Sequence, residues 1–512
     1  MTRRRFLQGS AAAGLTILSA KYLQGDQPLE GFARLAPSAQ ALRFSANPVN
    51  QGAASTWDGW NNLIITSRIC PPNEDWGQIV PGKIRVFELN SGEEVASEEV
   101  TAIAQNDFRV RVRFPDLDPR KEYTYEVSAP HLSSEKFVGF TKPPTLRRNT
   151  PYLNEPITKI RIAVISCMEY TTGFWNSLDF ASRRGLDAVF VNGDSIYADT
   201  EETIFTSNRP RKDPTPIAND YELFLMKYLV YNDEHRKKLL GEVPVFGVPD
   251  DHEIRNNIVG TDRSEARMIS DGFKAYSRVY ASADGAEHTG FYRRVDFGEG
   301  VRVLMLDTRM FRDKDSGTML GEKQLRWFLD ELKNAKSDDI KRLLVVTSVS
   351  FSSGLDRIED SWAGFTRERQ HIVDEIARLG LTNVNFISGD LHTFYTSPIH
   401  LDPLNKRTEV VAHEFEVGAL SSRVRHTGHV NDRVSAYTKE SHGYMELTVD
   451  TVTGDLECEW FLYDATKRDY IPQSGARFLS RSQGQYSSPD LSYISIEPDL
   501  VANPGGLERM LR

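Results

Sequence analysis

Six apolar runs that alternate with helix-like segments constrain the fold of this chain more than any other feature of its sequence. The runs read KIRIAVISC, LDAVFVNGD, VPVFGVPDD, VRVLMLDTR, RLLVVTSVS and NVNFISGDLH. Near-continuous apolar strands are typical of sheets that are covered on both faces. Apolar residues at three and four spacing indicate helices between them, most clearly in YELFLMKYLVYNDEHRKKLL, GEKQLRWFLDELKNA and RERQHIVDEIARLG. The pattern predicts an α/β domain with helices on the faces of its sheet.

The first segment, residues 1–41, reads as a targeting peptide. Three arginines at positions 3–5 precede an apolar stretch, which at about twelve residues has the length of a signal h-region and is too short to span a bilayer. The segment resembles a twin-arginine export signal, which predicts the twin-arginine export machinery as a partner and a periplasmic or extracellular location. Cleavage after Ala20 or after Ala41 stays open.

The remaining segments differ in pattern. Residues 42–145 contain the short alternating runs NLIITSRI, KIRVFEL, FRVRVRF and EYTYEVSA, which predict a small all-β sandwich domain of immunoglobulin or fibronectin-like type. The proline-rich stretch TKPPTLRRNTP separates it from the α/β domain, for which we predict the bounds 151–482. Residues 483–512 lose periodicity and are interpreted as a C-terminal tail.

Charge and hydropathy exclude two classes of partner. The net charge is −10 and the pI is about 5.7, which argues against architectural nucleic-acid binding because such proteins need a basic face. No segment approaches the roughly 18 to 20 apolar residues that a spanning helix requires, so we expect no stable membrane insertion. Of three cysteines, Cys70 and Cys458 lie in apolar, strand-like surroundings and are expected to be buried small hydrophobic residues.

Polar side chains stand at the carboxyl ends of the apolar runs. They are Cys167, Asp194, Asp250 with Asp251 and His252, Asp307, and Asp390 with His392. Loops that leave these strand ends converge on one crevice in open α/β sheets. A single aspartate at such a place is most often a helix cap or turn former. The mixture of thiol, phenol, amide, imidazole and carboxylates instead indicates metal ligands, since gathered anions need cations to compensate them.

The order of the motifs SC, GDxxY, DDHE with NN close behind, LDTR and GDLH resembles the PhoD-like alkaline phosphatases of the calcineurin-like metallophosphoesterase superfamily. The resemblance extends from about Arg161 to the HGY at 442–444, and DSWAGFTRERQ at 360–370 is similar to another family segment. It implies a four-layer metallophosphoesterase-type sheet sandwich with flanking helices, preceded by the small all-β domain.

The resemblance also implies a metal site that contains ferric iron. Its ligands would be Cys167, Asp194, Tyr197 and His392, with Asp194 bridging to a second cation. A phenol has an ordinary pKa of about 10 and is best ionised by a trivalent, strongly acidic metal. The alternatives are a core cysteine at Cys167 and a packing aromatic residue at Tyr197.

For the second site the resemblance implies hard oxygen ligands that suit calcium, with one or two calcium ions bound. Asp390 and Asp194 would contribute carboxylates. Asn257 is the favoured amide ligand, while Asn256 and Asp251 remain alternatives, because DDH aligns with the GNH of the wider superfamily.

The predicted catalytic residues are His252, Asp251 and Arg309. His252 would stabilise charge or act as acid toward the leaving oxygen, and Arg309 or Arg255 would clamp phosphate oxygens. An ion pair with Asp307 is the structural alternative for Arg309. Attack by a metal-bound hydroxide requires no covalent nucleophile, so Ser195 is interpreted as a loop hydroxyl.

We therefore predict an exported metal-dependent phosphoesterase that hydrolyses phosphate diesters and monoesters. Nucleotide, phospholipid or teichoic-type phosphate esters are the expected substrates. One alternative is a purple-acid-phosphatase-like monoesterase, against which Cys167 and Asp390 count, because that family would use aspartate and histidine there. The other alternative is a non-catalytic exported metal-binding or adhesion protein that acts through its β-domain.

Overall fold

The computed structural model describes the chain in sixteen ranges: 49–50, 63–69, 79–103, 108–118, 121, 123–130, 139–141, 159–200, 211–213, 215–280, 289–297, 300–352, 360–402, 408–424, 437–468 and 472–480. The predicted export signal at 1–41, the predicted tail at 483–512 and Cys70 lie outside these residues. In the part of the chain that is described, no helix is both long enough and apolar enough to cross a membrane.

The N-terminal part forms two antiparallel sheets, with strand orders β1-β2-β5 and β4-β3-β6-β7. The strands are β1 (Val49–Asn50), β2 (Leu63–Arg68), β3 (Val80–Glu88), β4 (Glu94–Ala102), β5 (Arg109–Phe114), β6 (Tyr123–Ser128) and β7 (Gly139–Thr141). Alternate apolar residues of both sheets, such as Ile65 and Ile84, pack in one buried core, as period-two patterning predicts. The immunoglobulin or fibronectin-like identity of this part stays a prediction.

The C-terminal part carries thirteen further strands and six α-helices among its described residues. The strands are β8 (Lys159–Ile165), β9 (Ala188–Asn192), β10 (Val245–Val248), β11 (Arg293–Phe297), β12 (Val301–Met305), β13 (Arg342–Val349), β14 (Val384–Gly389), β15 (Phe394–His400), β16 (Val410–Glu416), β17 (Tyr437–Lys439), β18 (His442–Asp450), β19 (Leu456–Tyr463) and β20 (Gln473–Ser480). The helices are α1 (Asn176–Ser182), α2 (Tyr221–Val230), α3 (Glu234–Glu242), α4 (Ala266–Tyr280), α5 (Gly321–Ser337) and α6 (Thr366–Leu379).

These strands form two mixed sheets. One has the order β10-β9-β8-β18-β19-β20 and the other β11-β12-β13-β14-β16-β15-β17. Strands β8 to β10 are parallel to one another, as are β12, β13, β14 and β16, while the outer strands run antiparallel. The sheets share a buried apolar cluster that includes Phe190 of the first and Leu344 of the second.

Helices cover the outer faces of the two sheets. Side chains of α1 to α4, such as Phe224 and Tyr276, share a buried cluster with Val189 and Val191 of β9. Side chains of α5 and α6, such as Phe328, pack in a third cluster with β12 to β14. The predicted α/β class with helices on the sheet faces is therefore confirmed.

One predicted helix is divided in two. The apolar pattern that begins at Tyr221 ends as α2 at Val230, and α3 starts after Asp233. The Asp233 carboxylate accepts a hydrogen bond from the Arg236 N–H at 3.0 Å, which caps the new helix. The cap at Asp233 therefore divides a segment for which apolar spacing alone predicts one continuous helix.

Candidate metal centre

The carboxyl ends of four strands bring the predicted ligands together at the edge shared by the two sheets. Cys167 follows β8, Asp194 follows β9 and Asp251 follows β10 in the first sheet, while Asp390 and His392 follow β14 in the second. All five side chains are buried. Parallel strands direct their carboxyl ends to one edge, which explains why residues distant in sequence meet here.

Three groups of ligand atoms lie close enough to hold a metal ion, with all atoms of a group within 4.8 Å of one another. We call them the thiol cluster, the histidine cluster and the carboxylate cluster. The thiol cluster is Cys167, Asp194 and His392, the histidine cluster is Asp194, Asp251 and His252, and the carboxylate cluster is Asp194, Asp250, Asp251 and Asp390. Asp194 belongs to all three, which is the arrangement expected of a carboxylate that bridges cations.

Tyr197 joins the thiol cluster through hydrogen-bond distances. Its hydroxyl lies 3.0 Å from His392 Nε2 and 3.2 Å from Asp194 Oδ2. The other ring nitrogen of His392, Nδ1, lies 2.7 Å from the Arg423 carbonyl oxygen. A carbonyl oxygen can only accept, so Nδ1–H donates this hydrogen bond and Nε2 presents its lone pair toward the cluster. The structure thus collects thiol, phenol, imidazole and carboxylate around one point.

The backbone at these positions is strained. Eight described non-glycine residues have positive φ, and five of them are predicted ligands: Cys167 (54°), Asp194 (53°), Asn257 (57°), Asp390 (79°) and His392 (58°). Holding a non-glycine residue there costs on the order of 1–3 kcal/mol, and such strain concentrates at functional sites. Five of the eight described left-handed residues therefore belong to the predicted ligand set.

Gly193 shows why a glycine precedes the bridging aspartate. Its φ is +79°, and a Cβ built on it would lie 2.5 Å from the Cβ of Asp250. A side chain at this position would clash with the turn after β10. The glycine therefore lets the turns of β9 and β10 approach each other so that Asp194 and Asp250 share one cluster.

Burial works against ionisation of the clustered acids. It raises the pKa of the Cys167 thiol well above its ordinary value, and the Asp194 charge raises it further. Burial and the Asp194 charge act in the same direction on the Tyr197 phenol, and burial with the Asp250 charge raises the pKa of Asp390. Bound cations would reverse these shifts by favouring the ionised ligands. The donor set therefore fits metals.

The donor chemistry differs between the clusters. The thiol cluster with Tyr197 offers sulfur, nitrogen and oxygen, which suits a transition metal, whereas the carboxylate cluster offers only oxygen, which suits a hard cation. Asp250, whose role the sequence left open, belongs to the second set. One of its oxygens, Oδ1, accepts a hydrogen bond from Ser348 at 2.9 Å. The other, Oδ2, is buried with no hydrogen-bond partner among the described residues.

Arg309 is buried in an ion-pair network. Its Nε contacts Asp250 Oδ1, and its Nη1 lies 2.8 Å from Asp360 Oδ2. Nη2 lies 3.7 Å from Asp251 Oδ1, and the guanidinium contributes to an Asp251 pKa below its ordinary value, because Arg309 and His252 outweigh the effect of burial. Arg309 therefore contacts two members of the carboxylate cluster, Asp250 and Asp251, and neutralises part of the cluster's negative charge.

Asp307 does not join the predicted site. This residue follows β12 but belongs to none of the three clusters. The ion pair with Asp307, which was the structural alternative for Arg309, is replaced by pairs with Asp250 and Asp360. The Asp307 carboxylate instead accepts backbone N–H groups of Phe291 at 3.0 Å, Arg309 at 3.0 Å and Met310 at 2.9 Å. Asp307 is therefore a turn former, the role that a lone strand-end aspartate most often has.

His252 is oriented by a carboxylate that sequence reasoning missed. Its Nδ1 lies 2.8 Å from Asp199 Oδ1, and its ring stacks on Tyr197 with centroids 4.1 Å apart. Burial lowers the pKa of His252, but the charges of Asp251, Asp194 and Asp199 outweigh it and place the pKa well above its ordinary value. Because Asp199 occupies Nδ1, a proton passed to a substrate would leave from Nε2.

The two asparagines lie beside the clusters in the turn after β10. The Asn257 N–H donates to Asp251 Oδ2 at 2.5 Å, and the Asn256 N–H donates to Asp199 Oδ2 at 2.8 Å. Both residues are exposed. Asp251 itself supplies atoms to two clusters, so it competes with Asn257 for the role of second-site ligand.

Glu253 is a second residue that sequence reasoning left without a role. Ser195 Oγ donates to Glu253 Oε1 at 2.8 Å, so the hydroxyl of the turn after β9 is engaged by a carboxylate of the turn after β10. The remaining predicted phosphate clamp, Arg255, pairs with Glu265 and is half exposed. The local sequence does not distinguish Glu253 or Asp199 from a surface carboxylate, because Asp194 and His252, to which they bond, lie more than fifty positions away.

Comparisons with known proteins agree with this geometry. The model of the PhoD-like phosphatase family matches residues 162–458, which is more than half of the chain. Alkaline phosphatase D of Bacillus subtilis is 24% identical over 466 residues, covering 82% of this chain and 76% of that protein. Every motif that suggested the resemblance from SC to GDLH lies within the matched range.

Solved structures give the same fold. The structure of PhoD superposes with a TM-score of 0.74 at 20% identity and covers 86% of this chain and 92% of its own. The purple acid phosphatase PPD1 from yellow lupin seeds superposes with a TM-score of 0.55 at 14% identity, covering 84% of this chain and 74% of its own. The resemblance inferred from the motifs is confirmed: the chain belongs to the PhoD-like phosphatase family and is a metal-dependent hydrolase of phosphoric ester bonds.

Proposed function

We propose that this protein is an exported phosphoesterase that hydrolyses both phosphate diesters and monoesters with two kinds of cation. The observation that carries the proposal is the membership of Asp194 in all three ligand clusters. One carboxylate shared by a sulfur-containing cluster and an all-oxygen cluster is suited to hold two unlike cations side by side.

Ferric iron is our proposal for the first cation. It would be held by Cys167, Asp194, Tyr197 and His392. Burial raises the pKa of the Tyr197 phenol, so a strongly acidic, trivalent ion is the cation best suited to ionise it. Calcium is our proposal for the second position, with one or two ions held by Asp194, Asp390 and Asp251 or Asn257. The unpartnered Oδ2 of Asp250 adds a further carboxylate oxygen to this set.

When bound, the cations would acidify a water molecule and balance the charge of the phosphoryl oxygens. The protein's own residues would orient the reaction. Asp199 fixes the ring of His252, and His252 would hold the proton that Nε2 delivers to the leaving oxygen. Arg309 would act through Asp250 and Asp251, because carboxylates occupy its guanidinium.

The substrate range and the export route are part of the proposal. Nucleotide, phospholipid and teichoic-type phosphate esters are the classes we propose, with delivery by the twin-arginine route. The fold likeness to a plant purple acid phosphatase keeps a monoesterase as the second candidate. Cys167 in the thiol cluster and Asp390 in the carboxylate cluster favour the first candidate.

The test measures hydrolysis of a nitrophenyl phosphodiester and a nitrophenyl monoester, with and without added calcium. We expect activity on both substrates, stimulation by calcium, and a loss of at least about a hundredfold in Asp194→Ala, because its carboxylate serves every cluster. Asp307→Asn is the matched control, since Asp307 also follows a strand but belongs to no cluster. Activity on the monoester alone would favour the second candidate.

A spectrum tests the iron assignment separately. A phenolate on ferric iron gives a visible charge-transfer band, so we expect a coloured protein that Tyr197→Phe bleaches. A colourless, zinc-loaded and fully active protein would exclude iron.

A further inference from the structure

Glu253 is a fully buried carboxylate that contacts the turns carrying the metal ligands. Its oxygens accept backbone N–H groups from Asp194 at 3.1 Å, Ser195 at 2.6 Å and Asp250 at 2.7 Å. The Ser195 hydroxyl adds a fourth donor at 2.8 Å. Glu253 therefore ties the turn after β9 to the turn after β10.

Two of the residues that Glu253 holds, Asp194 and Asp250, are members of the clusters, while Glu253 itself belongs to none of them. Asp194 has a φ of 53°, a conformation that an L-residue adopts at a cost. Without Glu253, the Asp194 carbonyl oxygen would still accept a hydrogen bond from the Met168 N–H at 2.8 Å, but the partner of the Asp194 N–H would be lost. A shift of this backbone would move the carboxylate shared by all three clusters.

A carboxylate suits this position better than any neutral side chain. Four donors converge on it from two turns, and hydrogen bonds to a charged acceptor are about twice as strong as neutral ones. An isosteric glutamine would offer one acceptor oxygen and would turn its NH₂ group toward donors. Loss of charge without loss of volume therefore disrupts this contact specifically.

We propose that Glu253 is a positioning residue that fixes Asp194 and Asp250 relative to each other and thereby sets the affinity for the bound cations. The inference rests on the proposed two-cation site, because it requires Asp194 to be a ligand. Glu253 acts through the backbone N–H groups of Asp194, Ser195 and Asp250 and through the Ser195 hydroxyl.

Glu253→Gln tests the proposal through metal binding. We expect the apparent dissociation constants for iron and calcium, measured by chelator competition with elemental analysis, to rise about 10- to 100-fold, as is typical when a residue that supports metal ligands is replaced. The visible band should weaken in parallel. Glu253→Asp keeps the charge but shortens the side chain, so it should lose metal affinity too.

Glu446→Gln is the matched control. Glu446 is also a buried carboxylate, bonded to Arg184 and to the Tyr444 hydroxyl at 2.9 Å, and it belongs to no cluster. We expect its replacement to lower thermal stability while metal affinity stays unchanged.

Metal affinity distinguishes a failure of the positioning role from a failure of the proposed function. Wild-type metal affinity in a folded Glu253→Gln or Glu253→Asp protein would overturn the positioning role, and so would an equal loss of metal in the Glu446 control. A wild-type protein that holds no iron and no calcium would instead overturn the proposed function on which the inference rests.

Discussion

Replacing Asp199 with asparagine tests how His252 works. Asp199 Oδ1 lies 2.8 Å from His252 Nδ1, and Asp199 Oδ2 accepts the Asn256 N–H at 2.8 Å. Asparagine has one acceptor oxygen, which can keep only one of these bonds. If that oxygen stays on Asn256, its NH₂ group faces Nδ1 and selects the tautomer in which Nδ1 carries no proton.

The expected magnitude follows from the lost bond. A hydrogen bond to a charged group contributes about 1.5–3 kcal/mol, which corresponds to a fall in kcat of roughly 10- to 150-fold at about 1.4 kcal/mol per tenfold. The fall should depend on the substrate. An acid at the leaving oxygen matters most for poor leaving groups, so phenyl esters should suffer more than nitrophenyl esters.

The assay compares kcat for phenyl and nitrophenyl phosphate esters in wild-type and Asp199→Asn proteins with equal metal content. Equal losses on both esters would mean that His252 stabilises charge and does not deliver a proton. An unchanged kcat on both would refute the orienting role of Asp199.

Three further predictions address single side chains. Cys167→Ser should lose the visible band and the iron, which iron analysis and the spectrum measure. Cys458→Ser should keep both, because Cys458 lies in the core between the sheets. Its buried hydroxyl should instead lower the free energy of unfolding by about 1–3 kcal/mol, measured by denaturant unfolding. Ser195→Ala should retain kcat within a few-fold, and a total loss would contradict its assignment as a loop hydroxyl. Burial is the main cause that lowers the pKa of His413 to about 4. The free energy of unfolding should therefore be unaffected by His413 above pH 6.5 and should fall by about 3 kcal/mol as the pH falls to 4, because the unfolded state binds the proton first. In urea unfolding, His413→Gln should flatten this pH dependence.

The strands of the C-terminal part were predictable because their burial on both faces leaves near-continuous apolar runs. Strand β9 is buried at every position, and so is β14. Helix α4, Ala266–Tyr280, was not predicted, although one side of it is buried. The division between α2 and α3 depends on the cap formed by Asp233, which apolar spacing does not register.

The proximity of predicted ligands could be predicted where each follows a buried strand directly. Cys167, Asp194 and Asp390 meet this condition, and the fold brings Cys167 and Asp390 each close to Asp194. Asp307 meets it equally well and takes another role, because its carboxylate accepts the Arg309 and Met310 N–H groups of its own turn and the Phe291 N–H of another one. A position directly after a strand does not separate these cases.

The roles of Asp199 and Glu253 were not predicted from the sequence, for a related reason. Each acts through hydrogen bonds to residues more than fifty positions away, Asp199 to His252 and Glu253 to Asp194. Such contacts depend on which loops become neighbours in space. They are set by the packing of β9 beside β10, which a single sequence does not state.

The most direct test of the two-cation site is the metal content of native protein and of Asp194→Ala, measured element by element on the same preparations. We predict iron together with calcium in the native protein and loss of both from the variant, because one carboxylate serves every ligand cluster. A variant that keeps both cations and full turnover would contradict the site.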